Sequence, residues 1–162
     1  MENEVSTKVK IRFSDCDPIG HLNNVKYLDY MFNAREDHVE TFYGFTYEEY
    51  TKRTGCTWVT IQNEIAYLKE LKYNTQVIIS SKMIDIQDRT SKIEIIMKSL
   101  DGKTIHAVLW VSLIYFNMKT RKSEVHPKEL TDVFSPHYVD LDQKDFQSRI
   151  KYFRSQNAKN LS

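Results

Sequence analysis

The segment from residue 12 to residue 38, RFSDCDPIGHLNNVKYLDYMFNAREDH, contains the densest group of side chains that could take part in a reaction. Asp15 and Asp17 flank Cys16, and His21 follows closely. A proline and a glycine between Asp17 and His21 predict a turn that holds side chains outside a regular ladder. Because a placed carboxylate can attack an acyl carbon or deprotonate water, and histidine can serve as acid, base or positioning donor, these residue types are suited to acyl transfer.

The same segment also has a purely structural interpretation. Asn23 and Asn24 precede a helical pattern, and asparagine at this position commonly caps the first amide groups of a helix. Those amide groups favour anions and could also polarise a carbonyl oxygen near Val25. From the residue types alone, a catalytic loop and an ordinary strand-to-helix turn both remain open.

Metal and thiol chemistry are disfavoured here. A metal would draw on Asp15, Asp17, His21, Glu36, Asp37 and His38, but the last three are consecutive and point in different directions around a helix. The sequence has no metal-ligand, phosphate-loop, dinucleotide or serine-nucleophile motif, so no metal and no cofactor are predicted. The two aspartates should raise the pKa of Cys16, and with Cys56 we expect it to be a reduced thiol.

The overall composition limits the possible classes of protein. The chain has 162 residues, 41% of them hydrophobic, and a formal net charge of +1, which predicts one globular domain. The balanced charge gives no reason to expect nucleic acid as a partner. The polar N-terminal residues do not resemble a secretory signal, and no apolar run reaches the length of a membrane helix. A cytoplasmic location is therefore expected.

One long helix and a sheet are predicted to position the loop. Residues 7–14 alternate as a half-buried strand with Val9, Ile11 and Phe13 on one side. From Asn24 to a stop at Gly44, apolar spacings of three, four and seven predict a helix. We expect its buried face to include these residues: Val25, Leu28, Met31, Phe32, Val39 and Phe42.

The remainder of the chain up to residue 117 has the composition of strands. A short helix is expected after the cap at Thr46, followed by strands at 57–68, 75–86, 91–100 and 104–117, with a two-residue turn at Asp101-Gly102. Helices are predicted after Pro127 and over 140–154, and the polar end of the chain is expected to fray. Short connections imply antiparallel pairing. The fold class is thus α+β, an antiparallel sheet of about five strands wrapped around one long helix, with exposed edges that favour dimerisation.

At FSDCDPIGHLNNVKYLDYMFNAR the chain resembles hotdog-fold acyl-CoA thioesterases of the 4-hydroxybenzoyl-CoA thioesterase type. The matching features are Asp15-x-Asp17, Gly20, Asn23-Asn24, Tyr27 and Ala34-Arg35. The segments NEIAYLKELKYNTQVIISSKM, DRTSKIEIIM and VHPKEL extend the resemblance over residues 7–131. It implies a hotdog domain that forms a homodimer or homotetramer with the active site between subunits. The helices predicted beyond this match make residues 132–162 a C-terminal helical extension of the same single domain.

The resemblance also implies roles for individual residues. Asp17 falls on the catalytic aspartate, as nucleophile or general base, and Arg89, Thr90 and Ser91 fall where relatives contact CoA phosphates. GHLNNVKY is similar to plant acyl-carrier-protein thioesterases, which places His21 and Glu70 on a catalytic histidine and its acidic partner. Ile19 replaces the asparagine of those enzymes, and Asn24 stands where another bacterial branch has histidine.

The site expected from these matches hydrolyses an acyl-CoA or acyl-carrier-protein thioester. Asp17 attacks the thioester carbonyl or deprotonates water. Amides near Asn23–Val25 hold the carbonyl oxygen, and His21 or Asn24 orients the water or the carbonyl. We expect the acyl pocket between helix and sheet, lined by some of Tyr27, Tyr30, Met31, Trp58, Tyr67 and Trp110. Two alternatives remain: a hotdog dehydratase or hydratase using His21 and His38, and a non-catalytic acyl-CoA-binding module.

Overall fold

The computed structural model describes residues 4–161, and it contains one antiparallel sheet whose strands are arranged in the order β1-β3-β4-β5-β2. The strands are β1 (Val5–Lys10), β2 (Cys56–Tyr67), β3 (Gln76–Ile86), β4 (Thr90–Ser99), β5 (Ile105–Asn117) and the short β6 (Lys122–Ser123), which pairs with β5. The helices are α1 (Asn24–Tyr43), α2 (Tyr47–Thr54), α3 (Lys128–Phe134) and α4 (Phe146–Asn160), with 3-10 turns at Phe13–Asp15 and Ser135–His137. Over this described part of the chain, none of the helices is both long and apolar enough to cross a membrane.

Helix α1 lies against one face of the sheet, as the sequence predicts, and its buried side chains match the predicted ones only in part, at Met31 and Val39. The buried residues are Tyr27, Met31, Ala34, Arg35, His38 and Val39, whereas Val25 is 73% exposed. The prediction followed apolar residues alone, while the actual stripe includes an arginine and a histidine that have hydrogen-bond partners on the sheet. Gly44 ends α1 in the left-handed conformation, with φ of 74°.

Both faces of the sheet are buried. The first core packs α1 against side chains such as Ile79, Ile95 and Leu109. The second core lies on the opposite face, where Trp110 of β5 contacts Phe146 of α4. Trp110 therefore lies away from α1, and its predicted place in a pocket between helix and sheet is wrong.

The C-terminal segment differs most from expectation. Helix α4 begins at Phe146 rather than at residue 140, and it stays helical to Asn160 instead of fraying. Phe153 is buried, and the Asn157 side chain bonds both the amide and the carbonyl of Ile105, at 2.8 and 2.9 Å. The prediction that the polar end of the chain frays was therefore wrong, because polar side chains such as Asn157 hold α4 against the sheet.

Two local features near the sheet also depart from the predictions. Strand β1 ends at Lys10, and Phe13 is 75% exposed with its ring edge-on to Tyr73. The turn after β4 is longer than two residues, because the Ser99 amide donates to the carbonyl of Thr104 across it. The predicted helix at Thr46 is confirmed, with a full capping box between Thr46 and Glu49.

Candidate active site

Asp17 sits in a tight turn that fixes one of its carboxylate oxygens. Its Oδ1 accepts from the amides of Ile19 and His21, both at 3.0 Å. The Asp17 amide donates to the His21 carbonyl at 2.7 Å, and Gly20 closes the turn with φ of 84°. Within residues 4–161, Oδ2 of Asp17 has no hydrogen-bond partner. The half-buried carboxylate is therefore held by one oxygen, and its other oxygen is available for chemistry.

The start of α1 supplies donors beside this turn. The Asn23 amide donates to the Asp15 carbonyl at 3.0 Å, and Cys16 forms a bridge with Leu22, so the two ends of the loop are tied together. Asn23 occupies the cap position, but its side chain makes no capping hydrogen bond. The amides of Asn24 and Val25 consequently have no acceptor among the described residues. Such free amides at a helix start can hold a developing oxyanion.

Asp15 is already committed to a structural contact. Tyr30 Oη donates to Asp15 Oδ2 at 2.6 Å and accepts from the Arg12 amide at 3.0 Å. Between the two aspartates, burial and the charges of Asp17 and Asp15 raise the pKa of the Cys16 thiol, so the thiolate is disfavoured. This agrees with the prediction that thiol chemistry at Cys16 is disfavoured.

His21 and Glu70 lie next to each other, as the similarity to plant enzymes implied. Nδ1 of His21 is 3.7 Å from Oε2 of Glu70, and the two side chains are 25% and 61% exposed. A bridge between His21 and Lys72 holds the loop against the segment that precedes β3. The structure thus brings Asp17, His21 and Glu70 to one end of the molecule.

Two tyrosines form a wall beside the helix start. Tyr67 Oη donates to the Asn24 carbonyl at 3.0 Å, and its ring meets Tyr27 edge-on with centroids 5.0 Å apart. Burial raises the pKa of Tyr27 to about 12, so its hydroxyl stays protonated and is no general base.

Arg89, Thr90 and Ser91 lie at the other end of the sheet. Thr90 begins β4, whereas the Asp17 loop adjoins the end marked by Tyr67 of β2, which is roughly 20 Å or more along the strands. Arg89 is exposed and donates to the Ser123 carbonyl at 2.7 Å, while Ser91 is 3% exposed. Within a single chain, Arg89, Thr90 and Ser91 therefore do not lie near Asp17.

A cavity of about 240 Å³ opens between α1, α2 and the sheet. Of the six residues expected in an acyl pocket, Trp58 alone lines it; Phe32, Arg35 and Tyr47 are wall residues that were not predicted. The available signal was Arg35 itself, a charged residue four positions after Met31 and four before Val39 on the buried face of a helix.

Comparison with known proteins defines the class. The model of the thioesterase-like superfamily matches residues 11–134, so the chain belongs to that superfamily. The protein is accordingly a thioester hydrolase. No curated protein matches the chain.

Solved structures agree on the fold. SAV2348 from Staphylococcus aureus, solved in complex with CoA, is 15% identical with a TM-score of 0.77, over 90% of each chain. The 1,4-dihydroxy-2-naphthoyl-CoA thioesterase Slr0204 from Synechocystis is 10% identical with a TM-score of 0.73, over 86% of this chain and 98% of that one. The 12:0-ACP thioesterase from Umbellularia californica is 13% identical with a TM-score of 0.78, over 90% of this chain and 58% of that one. The predicted hotdog fold is confirmed.

Proposed function

We propose that the protein hydrolyses an acyl-CoA to a free acid and CoA, with Asp17 as nucleophile or general base. The observation that carries the proposal is the Asp17 carboxylate, which has one oxygen anchored by two amides and one oxygen without a partner among residues 4–161. It lies in the loop tied to the acceptor-free amides of Asn24 and Val25. Structural neighbours support this substrate class: SAV2348 was solved in complex with CoA, and Slr0204 and the Umbellularia protein are thioesterases for a CoA and a carrier-protein thioester.

The reaction needs modest assistance because a thiolate is a good leaving group. In the general-base form, Oδ2 of Asp17 takes a proton from water, the oxygen of that water adds to the carbonyl carbon, and the helix-start amides hold the oxyanion. The carbon–sulfur bond then breaks, and the thiolate leaves and takes up a proton. His21, oriented by Glu70, or alternatively Asn24, positions the water or the carbonyl.

We further propose that the complete site forms between two copies of the chain. Strand β2 is an edge of the sheet, and Val59 and Ile61 in its middle are 41% and 56% exposed. Pairing of two β2 strands about a two-fold axis must be antiparallel. Such pairing brings the Cys56 end of one β2 beside the Tyr67 end of the other, and hence Arg89 beside the Asp17 loop of the second copy.

The end of the molecule that holds Arg89 suits the phosphates of CoA. Lys119, Arg121 and Lys122 lie at the same end, and none of these four cations forms an ion pair with a carboxylate in the part of the chain that is described. Arg89 and Thr90 are proposed as phosphate contacts, whereas Ser91 is 3% exposed and lies too deep for that role.

The geometry of His38 argues against the dehydratase alternative. His38 is 1% exposed, its Nδ1 is 2.7 Å from Ser81 Oγ, and its Nε2 is 2.9 Å from Thr7 Oγ1. With both nitrogens occupied inside the core, it cannot reach a substrate carbon.

A panel of acyl-CoA substrates from acetyl to palmitoyl, with aromatic and enoyl members, tests the proposal. We expect thiol release well above the uncatalysed rate for at least one member, and no loss of enoyl absorbance beyond that which thiol release accounts for. Loss of enoyl absorbance without thiol release would establish a hydratase, and tight binding without turnover would establish a binding module.

A further inference from the structure

Arg35 is an arginine inside the core that has no acidic partner among the described residues. Arg35 is 4% exposed. Its Nη1 donates to Ser81 Oγ at 2.9 Å, and its Nη2 donates to Tyr43 Oη at 2.9 Å. Both partners are neutral hydroxyls. Among residues 4–161, no carboxylate forms an ion pair with its guanidinium, in contrast to the other buried arginine, Arg149, which is paired with Glu94.

One nitrogen of Arg35 is left without any acceptor in that part of the chain. Its Nε is buried and has no hydrogen-bond partner there. A buried cation without a counter-charge and a buried donor without an acceptor are both costly, and structures rarely keep them unless something else satisfies them. An acceptor atom from outside the described chain is the direct way to satisfy Nε.

Arg35 lines the cavity, which gives such an acceptor a place. The same wall holds the aromatic rings of Phe32 and Trp58 and apolar side chains such as Val111. A volume of about 240 Å³ exceeds the roughly 150 Å³ in which an apolar cavity holds benzene. One carboxylate, Glu36, also lies on the wall, but its side chain is exposed and marks the mouth rather than the floor.

We propose that this cavity binds an acyl group whose far end carries a carboxylate, which pairs with Arg35. The inference rests on the proposed function and adds the substrate class: the thioester of a dicarboxylic acid, with the apolar chain or ring against Phe32 and Trp58. Nε and a neighbouring Nη of a guanidinium match the two oxygens of a carboxylate. A neutral acyl chain would leave Nε unsatisfied.

The position of the cavity fits the proposed assembly. Thr57 and Thr60 of β2 lie on its rim, at the end of β2 that antiparallel pairing places beside the Asp17 loop of a second copy. The acyl group would thus enter from the interface, with its thioester at Asp17 of one copy and its carboxylate at Arg35 of the other.

The test compares two matched substrate series, simple acyl-CoA and ω-carboxyacyl-CoA thioesters from five to ten carbons, with the wild-type protein. Because a charge-assisted hydrogen bond is stronger than a neutral one, we expect kcat/KM to be about tenfold or more higher for the ω-carboxyacyl member at the best-fitting length. Equal or lower values for the carboxylates at every length would overturn the inference. In Arg35→Met the preference should vanish, and Arg35→Lys should restore part of it.

A binding measurement separates this inference from the proposed activity. We expect hexanoate, but not the neutral hexanamide, to raise the melting temperature of the wild type and of Asp17→Asn, and to have no effect on folded Arg35→Met. If no thioester is hydrolysed but this pattern holds, the proposed function fails and the anion site stands. If hexanoate and hexanamide act alike, the anion site is wrong.

Discussion

At the level of single residues, Asp15 and Asp17 show how hydrogen bonding decides which of two like side chains is free to react. Asp15 holds the hydroxyl of Tyr30 through Oδ2 and ties the loop to α1. Asp17 uses Oδ1 alone for backbone contacts. The difference follows from the turn between Asp17 and His21, which aims two amides at a single oxygen.

His38 should make the stability of the protein depend on pH. Burial, helped by the charge of Arg35, lowers its pKa from 6.5 to about 4 in the folded chain. The unfolded chain therefore takes up a proton first, and the free energy of unfolding should fall between about pH 6.5 and pH 4, by on the order of 3 kcal/mol, and not above that range. Urea unfolding at about pH 7 and at about pH 4.5 measures this fall in the free energy of unfolding. His38→Gln should show a smaller loss, and an identical loss in both proteins would contradict the assignment.

Arg89 should act on binding rather than on chemistry. If it contacts the phosphates of CoA, Arg89→Glu should raise KM about tenfold or more and change kcat much less. Arg154→Glu is the matched control, because Arg154 is an exposed arginine on α4, away from the proposed site. An unchanged KM in Arg89→Glu, or an equal rise in both variants, would remove Arg89 from the site.

At the level of elements, α4 depends on a buried ion pair. Arg149 donates from Nε and Nη2 to the two oxygens of Glu94, each at 2.7 Å, and Glu94 is fully buried and also accepts from Trp110 at 2.8 Å. Arg149→Met leaves that carboxylate without its main partner and should lower the free energy of unfolding by about 3–5 kcal/mol. Arg154→Met on the same helix should change it by less than about 0.5 kcal/mol. Similar values for the two variants in urea unfolding would show that the pair does not hold α4.

Elements with regular periodicity were predictable from the sequence, whereas the side chains that they bury were predictable only in part. The bounds of α1 follow from its apolar spacing and from Gly44, because these act locally. Its buried face was predictable only in part: Met31 and Val39 are buried as expected, whereas Arg35 and His38 are buried through a partner on β3 that is distant in the sequence. The docking of α4 was missed for the same reason, since Asn157 bonds to Ile105.

The candidate site was predictable in part. The loop of Asp17 is local, so its turn could be derived from the proline and glycine that follow the aspartate. The contact between His21 and Glu70 came from a resemblance and not from spacing, and the structure places these residues 3.7 Å apart. The spacing of Arg35 from Met31 and Val39 was a signal in the sequence, but its unsatisfied donor is visible only when its surroundings are known.

At the level of the whole molecule, the sheet has one face under α1, the other under α4, and a free edge at β2. The proposed dimer uses this edge. Ile61→Lys places a charge at its centre and should convert a dimer to a monomer in analytical ultracentrifugation, with loss of turnover because the site is divided. Leu100 lies in the turn after β4 and is 46% exposed, so Leu100→Lys should leave the dimer and the turnover unchanged. An active monomer, or an unaltered dimer, would refute the shared site.

The most direct test of the central claim is thiol release by Asp17→Asn and Asp15→Asn, measured on the best acyl-CoA of the panel. The side-chain amide in Asp17→Asn would keep an oxygen for the two amides of the turn but could neither attack a carbonyl nor take a proton from water. We predict that kcat falls by about 10² or more in Asp17→Asn, with the melting temperature preserved, and falls much less in Asp15→Asn. Near-wild-type turnover in a folded Asp17→Asn would contradict the account.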